Sequence, residues 1–234
     1  MKLIDYYKKV SPETGATFAI AENFRYIESY SYGAEQLKKL GRVTGFTVRV
    51  AFLMEQSNKY YKTSWRAKPE YQGGFLLDAG VHFTAALRRL LGPENSVQSL
   101  IANTGLVQEY LAPVDSVNAV LKLKSGAVGS FIVGMGTASQ AYEFHVAAEN
   151  GTVTAASDKV VTTTGIGASA TTEEKKWERT SGVKNEVQAW AEGLVAGKPN
   201  PEQSPEEALA DLEILEKLLT SGDQDGARQF LEHQ

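Results

Sequence analysis

The sequence predicts an α+β fold: a large, mainly antiparallel open β-sheet with helices packed on one face. Three observations carry that expectation. Residues 43–55 alternate, setting Phe46, Val48, Val50, Phe52 and Met54 on one side of a long strand. Residues 117–164 hold a series of shorter alternating runs punctuated by Ser125-Gly126 and Asn150-Gly151, the pattern of a hairpin meander. Residues 75–91 and the C-terminal part follow the helical period instead.

Taken in order, Leu3, Ile4, Tyr7 and Val10 share one helical face, with no capping residue before them. Residues 16–21 read as a short strand, and residues 34–40 as a helix stopped by Gly41. In residues 75–91, Phe75, Ala79, Ala86 and Leu90 form one apolar face, widened by Leu76, Phe83 and Leu87. Val117, Ala119, Leu121 and Leu123 alternate with polar neighbours, and residues 127–135 return antiparallel to them. Tyr142, Phe144, Val146 and Ala148 face one way, and residues 153–156 and 159–164 continue the meander. Residues 162–172 are rich in Thr, Gly and Ala and read as an exposed loop. Val183, Val187, Trp190 and Leu194 then make a helical stripe. Ser204, Pro205 and Glu207 supply a capping box with proline at the first helical position. Ala208, Leu212, Leu215 and Leu219 face the core, and the acidic residues from Glu206 to Glu216 make the solvated side of that helix. No repeat or low-complexity linker divides residues 1–234, so a single domain is expected.

Composition narrows the function. At 42% hydrophobic and 22% charged, the chain has the make-up of an ordinary soluble domain. A net charge of -4 without a dense basic cluster argues against a nucleic-acid partner. The absence of cysteine excludes disulfides and thiolate metal sites, and fits a reducing compartment. No apolar run reaches the length of a membrane span, and residues 1–10 are too charged for a signal peptide, so a cytoplasmic protein is expected.

The chemistry-bearing residues concentrate in residues 60–92. Asp78 and His82, four apart on a helix that follows Gly73-Gly74, stand on the same side of it. An imidazole beside a carboxylate suits general acid/base work, and the plain alternative is a pair that only supports the helix. A metal site would need a third ligand; the other histidines, His145 and His233, fall on the polar face of a strand and in a terminal tail expected to fray. Tyr60, Tyr61, Trp65 and Arg66 precede the glycines, where rings beside a guanidinium suit stacking on a sugar or ordinary loop packing. The string Thr164-Gly-Ile-Gly-Ala-Ser-Ala170 mimics a dinucleotide fingerprint. It is followed by TTEEKKWERT rather than an apolar helix and a second strand, so it is set aside.

The segment GGFLLDAGVHFTAALRRLLG, with AENFRY about fifty residues upstream and Gly41-Arg-Val-Thr-Gly45 before the long strand, resembles the glucose–fructose oxidoreductase, inositol dehydrogenase and rhizopine-catabolism (Gfo/Idh/MocA) family. It is most similar to the fungal cytoplasmic branch, and the likeness covers essentially the whole chain as that family's C-terminal domain. The resemblance implies an oxidoreductase that uses NAD or NADP on a sugar, polyol or related hydroxylated substrate. It implies His82 as acid/base and Asp78 as the carboxylate that orients substrate or imidazole. It places Tyr61, Trp65 and Arg66 in the substrate loop, and Asn23, Arg25 and Tyr26 at the cofactor's nicotinamide end. It also implies a homo-oligomer built through the free sheet face. The family's N-terminal Rossmann domain and its Glu-Lys-Pro segment have no counterpart in these residues, and the chain reads as starting just beyond them. Cofactor binding by this chain alone is therefore not expected. A nucleotide-binding domain or an intact homologue is the implied partner, and a non-catalytic scaffold or regulatory subunit is the alternative.

Overall fold

The computed structural model describes residues 2–70 and 74–234. In chain order the elements are α1 (Lys2–Thr14), a 3-10 turn (Asn23–Tyr26), α2 (Glu28–Lys39), β1 (Val43–Leu53), the single turn α3 (Ser64–Ala67), α4 (Gly74–Leu91), β2 (Val97–Gly105), β3 (Ser116–Leu123), β4 (Val128–Gly134), β5 (Gly136–Ala148), β6 (Gly151–Ala156), β7 (Lys159–Thr164), β8 (Thr171–Lys176), α5 (Val183–Val195), α6 (Pro205–Asp223) and β9 (Gln229–Phe230). All nine strands join one open sheet in the order β8-β7-β6-β5-β1-β4-β3-β2-β9. Only the central pair β1 and β4 runs parallel; every other neighbouring pair is antiparallel. The expected α+β architecture is the observed one.

The alternation explains the layering. Phe46, Val48 and Val50 of β1, Leu121 and Leu123 of β3, Phe131 and Val133 of β4, and Phe144 and Val146 of β5 all point to one face and are buried there. Helices α2, α4 and α6 cover that face, and α4 lies in the middle of their layer, touching both of the others. For this reason α4 is buried almost all round, through Phe75, Leu76, Phe83, Ala86, Leu87 and Leu90. Its first two turns keep one open stripe, and Asp78 and His82 lie on it. The opposite sheet face carries no helix among the described residues. It mixes Val120, Val128 and Ile101 with polar neighbours such as Lys122, Arg49 and Asn118.

Turn chemistry behaves as the sequence indicates. Asn150-Gly151 joins β5 to β6, with Gly151 at φ 149, a conformation that favours glycine. Ser204 caps α6 by accepting the Glu207 N–H at 3.3 Å.

Four expectations need correction. Residues 16–21 form no strand: among the described residues only Ile20 N–H reaches a backbone acceptor, the Gln203 carbonyl at 2.9 Å, and no described strand lies beside them. The loop expected over residues 162–172 is confined to residues 165–170, a 3-10 turn; residues 162–164 complete β7 and 171–172 open β8, an edge strand exposed on both faces and therefore without any alternation to read. The core face of α6 is the expected one only in part. Leu215 and Leu219 are buried as expected and Ala208 is half-buried, but Leu212 is exposed, and Ala210, Asp211, Glu213, Ile214 and Leu218 are buried as well, since α6 packs on α4 and β2 together. The C-terminal tail is pinned rather than frayed: β9 pairs with β2, and Glu213 accepts the His233 N–H at 2.9 Å.

Asp211 is fully buried. Its carboxylate hydrogen-bonds Arg25 of the 3-10 turn and, at 2.7 Å, Arg88 of α4. Removing one partner from a buried ion cluster leaves the others desolvated without compensation. Asp211→Asn should therefore cost about 3–5 kcal/mol in urea unfolding, far more than a surface carboxylate change. A loss within a few tenths of a kcal/mol would show that the cluster contributes nothing to holding the fold.

Candidate active site

The open stripe of α4 meets three other segments. From the chain before α2 comes Glu22, the N-cap of the 3-10 turn, whose carboxylate accepts the Phe24 N–H at 3.1 Å. The same oxygen lies 2.8 Å from Nδ1 of His82. Phe24 stacks on the imidazole face, with centroids 4.7 Å apart and planes at 18°. Behind Phe24 stand Tyr30 and Phe83, and behind those Phe144 and Tyr142, an aromatic wall continuous with the core. Burial pushes the Tyr142 hydroxyl up to about 12, so it stays neutral.

Asp78 is committed to a different partner. Arg66 Nε and one terminal nitrogen donate to its two carboxylate oxygens at 2.7 and 3.1 Å, a bidentate fork. Arg66 in turn lies over the exposed Trp65 ring, 3.9 Å from its centre, and donates to Thr63 Oγ1 at 3.0 Å. Tyr61 packs edge-on against Tyr110, whose hydroxyl donates to the Met54 carbonyl at 2.9 Å. The expected pairing of Asp78 with His82 thus resolves into two pairs, Asp78 with Arg66 and His82 with Glu22. The helical spacing is right, but each side chain has a stronger partner off the helix.

His82 is the titratable centre. Burial lowers the affinity of its ring for a proton; the Glu22 hydrogen bond and charge raise it, with Asp78 and Glu186 adding, and the net shift is upward from 6.5. Its side chain remains 35% exposed, and Nε2 finds no hydrogen-bond partner among the described residues. Glu186 of α5 is buried and pushed up by burial and by the neighbouring Glu22 charge, and its Oε1 has no partner among the described residues.

The three residues expected at the cofactor's nicotinamide end lie in the 3-10 turn, and their side chains are engaged within the chain. Asn23 donates to the Ser181 carbonyl. Arg25 is buried against Asp211 and Glu207. The Tyr26 hydroxyl is buried without a partner among the described residues and pushed up to about 12 by burial. Of the expected glycine pair, Gly74 opens α4 at φ 43, and Gly73 lies outside the described residues. Among the described residues no group of three or more His, Cys, Asp or Glu could hold a metal ion. His145 bonds Thr154 across two strands at 2.8 Å. Glu22, Phe24 and Glu186 were not singled out in the sequence. Glu22 lies 60 residues from His82, so no periodicity connects them, and only the AENFRY string drew attention to its neighbourhood.

Residues 34–227 match the family described as oxidoreductase family, C-terminal alpha/beta domain. Dehydrogenase FPY6 of Fusarium mangiferae is 34% identical over 236 residues, covering 99% of this chain and 67% of that protein. An oxidoreductase from Thermotoga maritima shares the fold with a TM-score of 0.82 at 28% identity, over 97% of this chain and 67% of the other. The WlbA dehydrogenase from Bordetella pertussis, solved with NADH and UDP-GlcNAcA, has a TM-score of 0.72 at 24% identity over 97% and 67%, a likeness of fold alone. The chain spans about two thirds of the length of these relatives. With its family match, its dehydrogenase relative and its sheet topology in agreement, the chain belongs to the Gfo/Idh/MocA oxidoreductases, as their C-terminal alpha/beta domain.

Proposed function

We propose that this chain is the substrate-binding and assembly domain of an NAD(P)-dependent dehydrogenase that oxidises a hydroxyl of a sugar, polyol or related compound, with His82 as acid/base. The observation that supports it is the placement of His82. The imidazole is anchored at Nδ1, braced against Phe24, and open at Nε2 on the same helical stripe as the Arg66–Asp78 fork and beside the exposed Trp65 ring. A hydroxylated substrate would stack on Trp65, exchange hydrogen bonds with the fork, and give its hydroxyl proton to Nε2. The dehydrogenase relative is consistent with that chemistry.

The described residues do not make a dinucleotide cradle. The Gly165–Ala170 string links the antiparallel strands β7 and β8 through a single 3-10 turn (Gly167–Ser169), with no α-helix following it to offer its N-terminus to a pyrophosphate. NAD or NADP would supply the hydride acceptor, and this chain's part is substrate grip and proton handling. The turn bearing Asn23, Arg25 and Tyr26 would border the nicotinamide, with Arg25 acting from inside through Asp211 and Glu207. That same missing cradle favours a second reading, a non-catalytic partner that assembles with intact relatives. The uncovered sheet face would carry the assembly in either case.

Three outcomes follow. Titration of the chain with NAD or NADP should show no binding in the micromolar range; measurable heat at such concentrations would force the Gly165 loop back into consideration. Light scattering should find a dimer or larger species, and a monomer at high concentration would count against assembly through the sheet. Joined to a nucleotide-binding domain, His82→Asn should lower turnover by roughly two to four orders of magnitude. A base must be neutral, so oxidation should rise as pH climbs through the raised His82 value. The stabilising part of the Glu22–His82 pairing runs the other way, being complete below 6.5 and fading as pH rises through the folded-state value. Undiminished turnover in His82→Asn would remove the catalytic assignment.

A further inference from the structure

We infer that Glu22 is the positioning residue for His82, fixing the imidazole as the Nδ1–H tautomer so that Nε2 is presented as the proton acceptor. The inference rests on the acid/base reading of His82 for its catalytic meaning, while its geometry stands alone.

Glu22 is built for the task. It is 5% exposed, and its Oε1 is held by the backbone it caps, the Phe24 N–H at 3.1 Å. That oxygen sits 2.8 Å from Nδ1. An ionised carboxylate can only accept, so a neutral imidazole beside it must carry its proton on Nδ1. A histidine side chain free in water prefers the opposite tautomer, with the proton on Nε2, which would present a donor to a substrate hydroxyl. Glu22 reverses that preference. Phe24, two residues on, blocks rotation by stacking on the ring face, so one short turn controls both edge and plane of the imidazole.

The charges around the ring agree with this role. Glu22 reaches it from the turn, Asp78 from its own helix and Glu186 from α5, while Arg66 of α3 neutralises Asp78 through the fork. When Nε2 takes a proton, the resulting imidazolium lies against the Glu22 carboxylate, with Phe24 on its face.

The test needs neither cofactor nor turnover. The chain carries three histidines, so long-range proton–nitrogen correlation spectra of the 15N-histidine-labelled protein, assigned with His82→Asn, read the tautomer directly. Above its titration, His82 should show a protonated Nδ1 and an unprotonated Nε2, and its midpoint should lie above the ordinary histidine value of 6.5. Glu22→Gln keeps an oxygen for both the Phe24 N–H and Nδ1–H, so the tautomer should persist while the titration midpoint falls. Glu22→Ala should lose both, with Nε2–H becoming the main form. In the enzyme joined to a nucleotide-binding domain, Glu22→Ala should lower kcat about 10- to 100-fold with little change in KM, and Glu22→Gln should restore part of it. An Nε2–H tautomer in the unmodified chain, or a midpoint unmoved by Glu22→Gln, overturns the inference whatever His82→Asn does to turnover. Should His82→Asn stay fully active while the spectra hold, the acid/base reading fails and the Glu22–His82 arrangement stands.

Discussion

Asp211 sits between two guanidiniums with no exposure to solvent, and the geometry of the candidate site depends on that placement. Taking one carboxylate and two arginines out of water costs several kcal/mol per ion, which only a dense set of hydrogen bonds offsets. The cluster supplies them. The Glu207 carboxylate accepts from Arg25 at 2.9 Å and pairs with the Arg88 guanidinium at 2.9 Å, and the Glu207 carbonyl accepts from both arginines at 3.2 and 3.1 Å. Arg25 follows Glu22 by three residues in the same turn, and Arg88 follows His82 by six on the same helix. Clamping Arg25 and Arg88 onto α6 therefore fixes the turn against α4 and brings Glu22 to Nδ1 of His82. A slip of one helical turn between α4 and the 3-10 segment would break the ion cluster and the Glu22–His82 contact together.

This dependence explains what could be read in the sequence and what could not. Alternation made β1, β3 and β5 legible, because each buries one face against the helices and period two survives on the other. It failed for β8, whose TTEEKK has no buried side, and for residues 16–21, whose apolar character finds no neighbouring strand among the described residues. A strand is a property of a pair, and local propensity cannot show whether the partner is there. The helix α5 was legible as a helix, yet its stripe of Val183, Val187, Trp190 and Leu194 remains between 42% and 53% exposed. Its buried residue is Glu186, on the side that faces the 3-10 turn. Acidic residues on α6 misled in the opposite direction. Asp211 and Glu213 look solvated from their type, and both are buried because arginines and the chain's last backbone N–H groups come to them from far along the sequence.

The site shows the same limit at finer scale. Asp78 and His82 were found because both lie on one helix, where spacing alone puts them on one side. Their partners come from outside the helix, and those partners decide their chemistry. A carboxylate paired bidentately with Arg66 has its charge balanced and is held rigid, which suits it to accept hydrogen bonds from hydroxyls. An imidazole tied to Glu22 is made more basic and is turned so that its free nitrogen faces outward. Two residues one helical turn apart are thus given separate tasks, by a carboxylate on one side and a guanidinium on the other. Had they bonded to each other, the imidazole would have had its anchor on the exposed stripe and Arg66 would have remained an uncompensated cation beside the substrate. The charge-balanced fork is the feature that makes an uncharged polyhydroxylated ligand the substrate proposed above, since a full positive charge would find nothing on such a ligand to pair with.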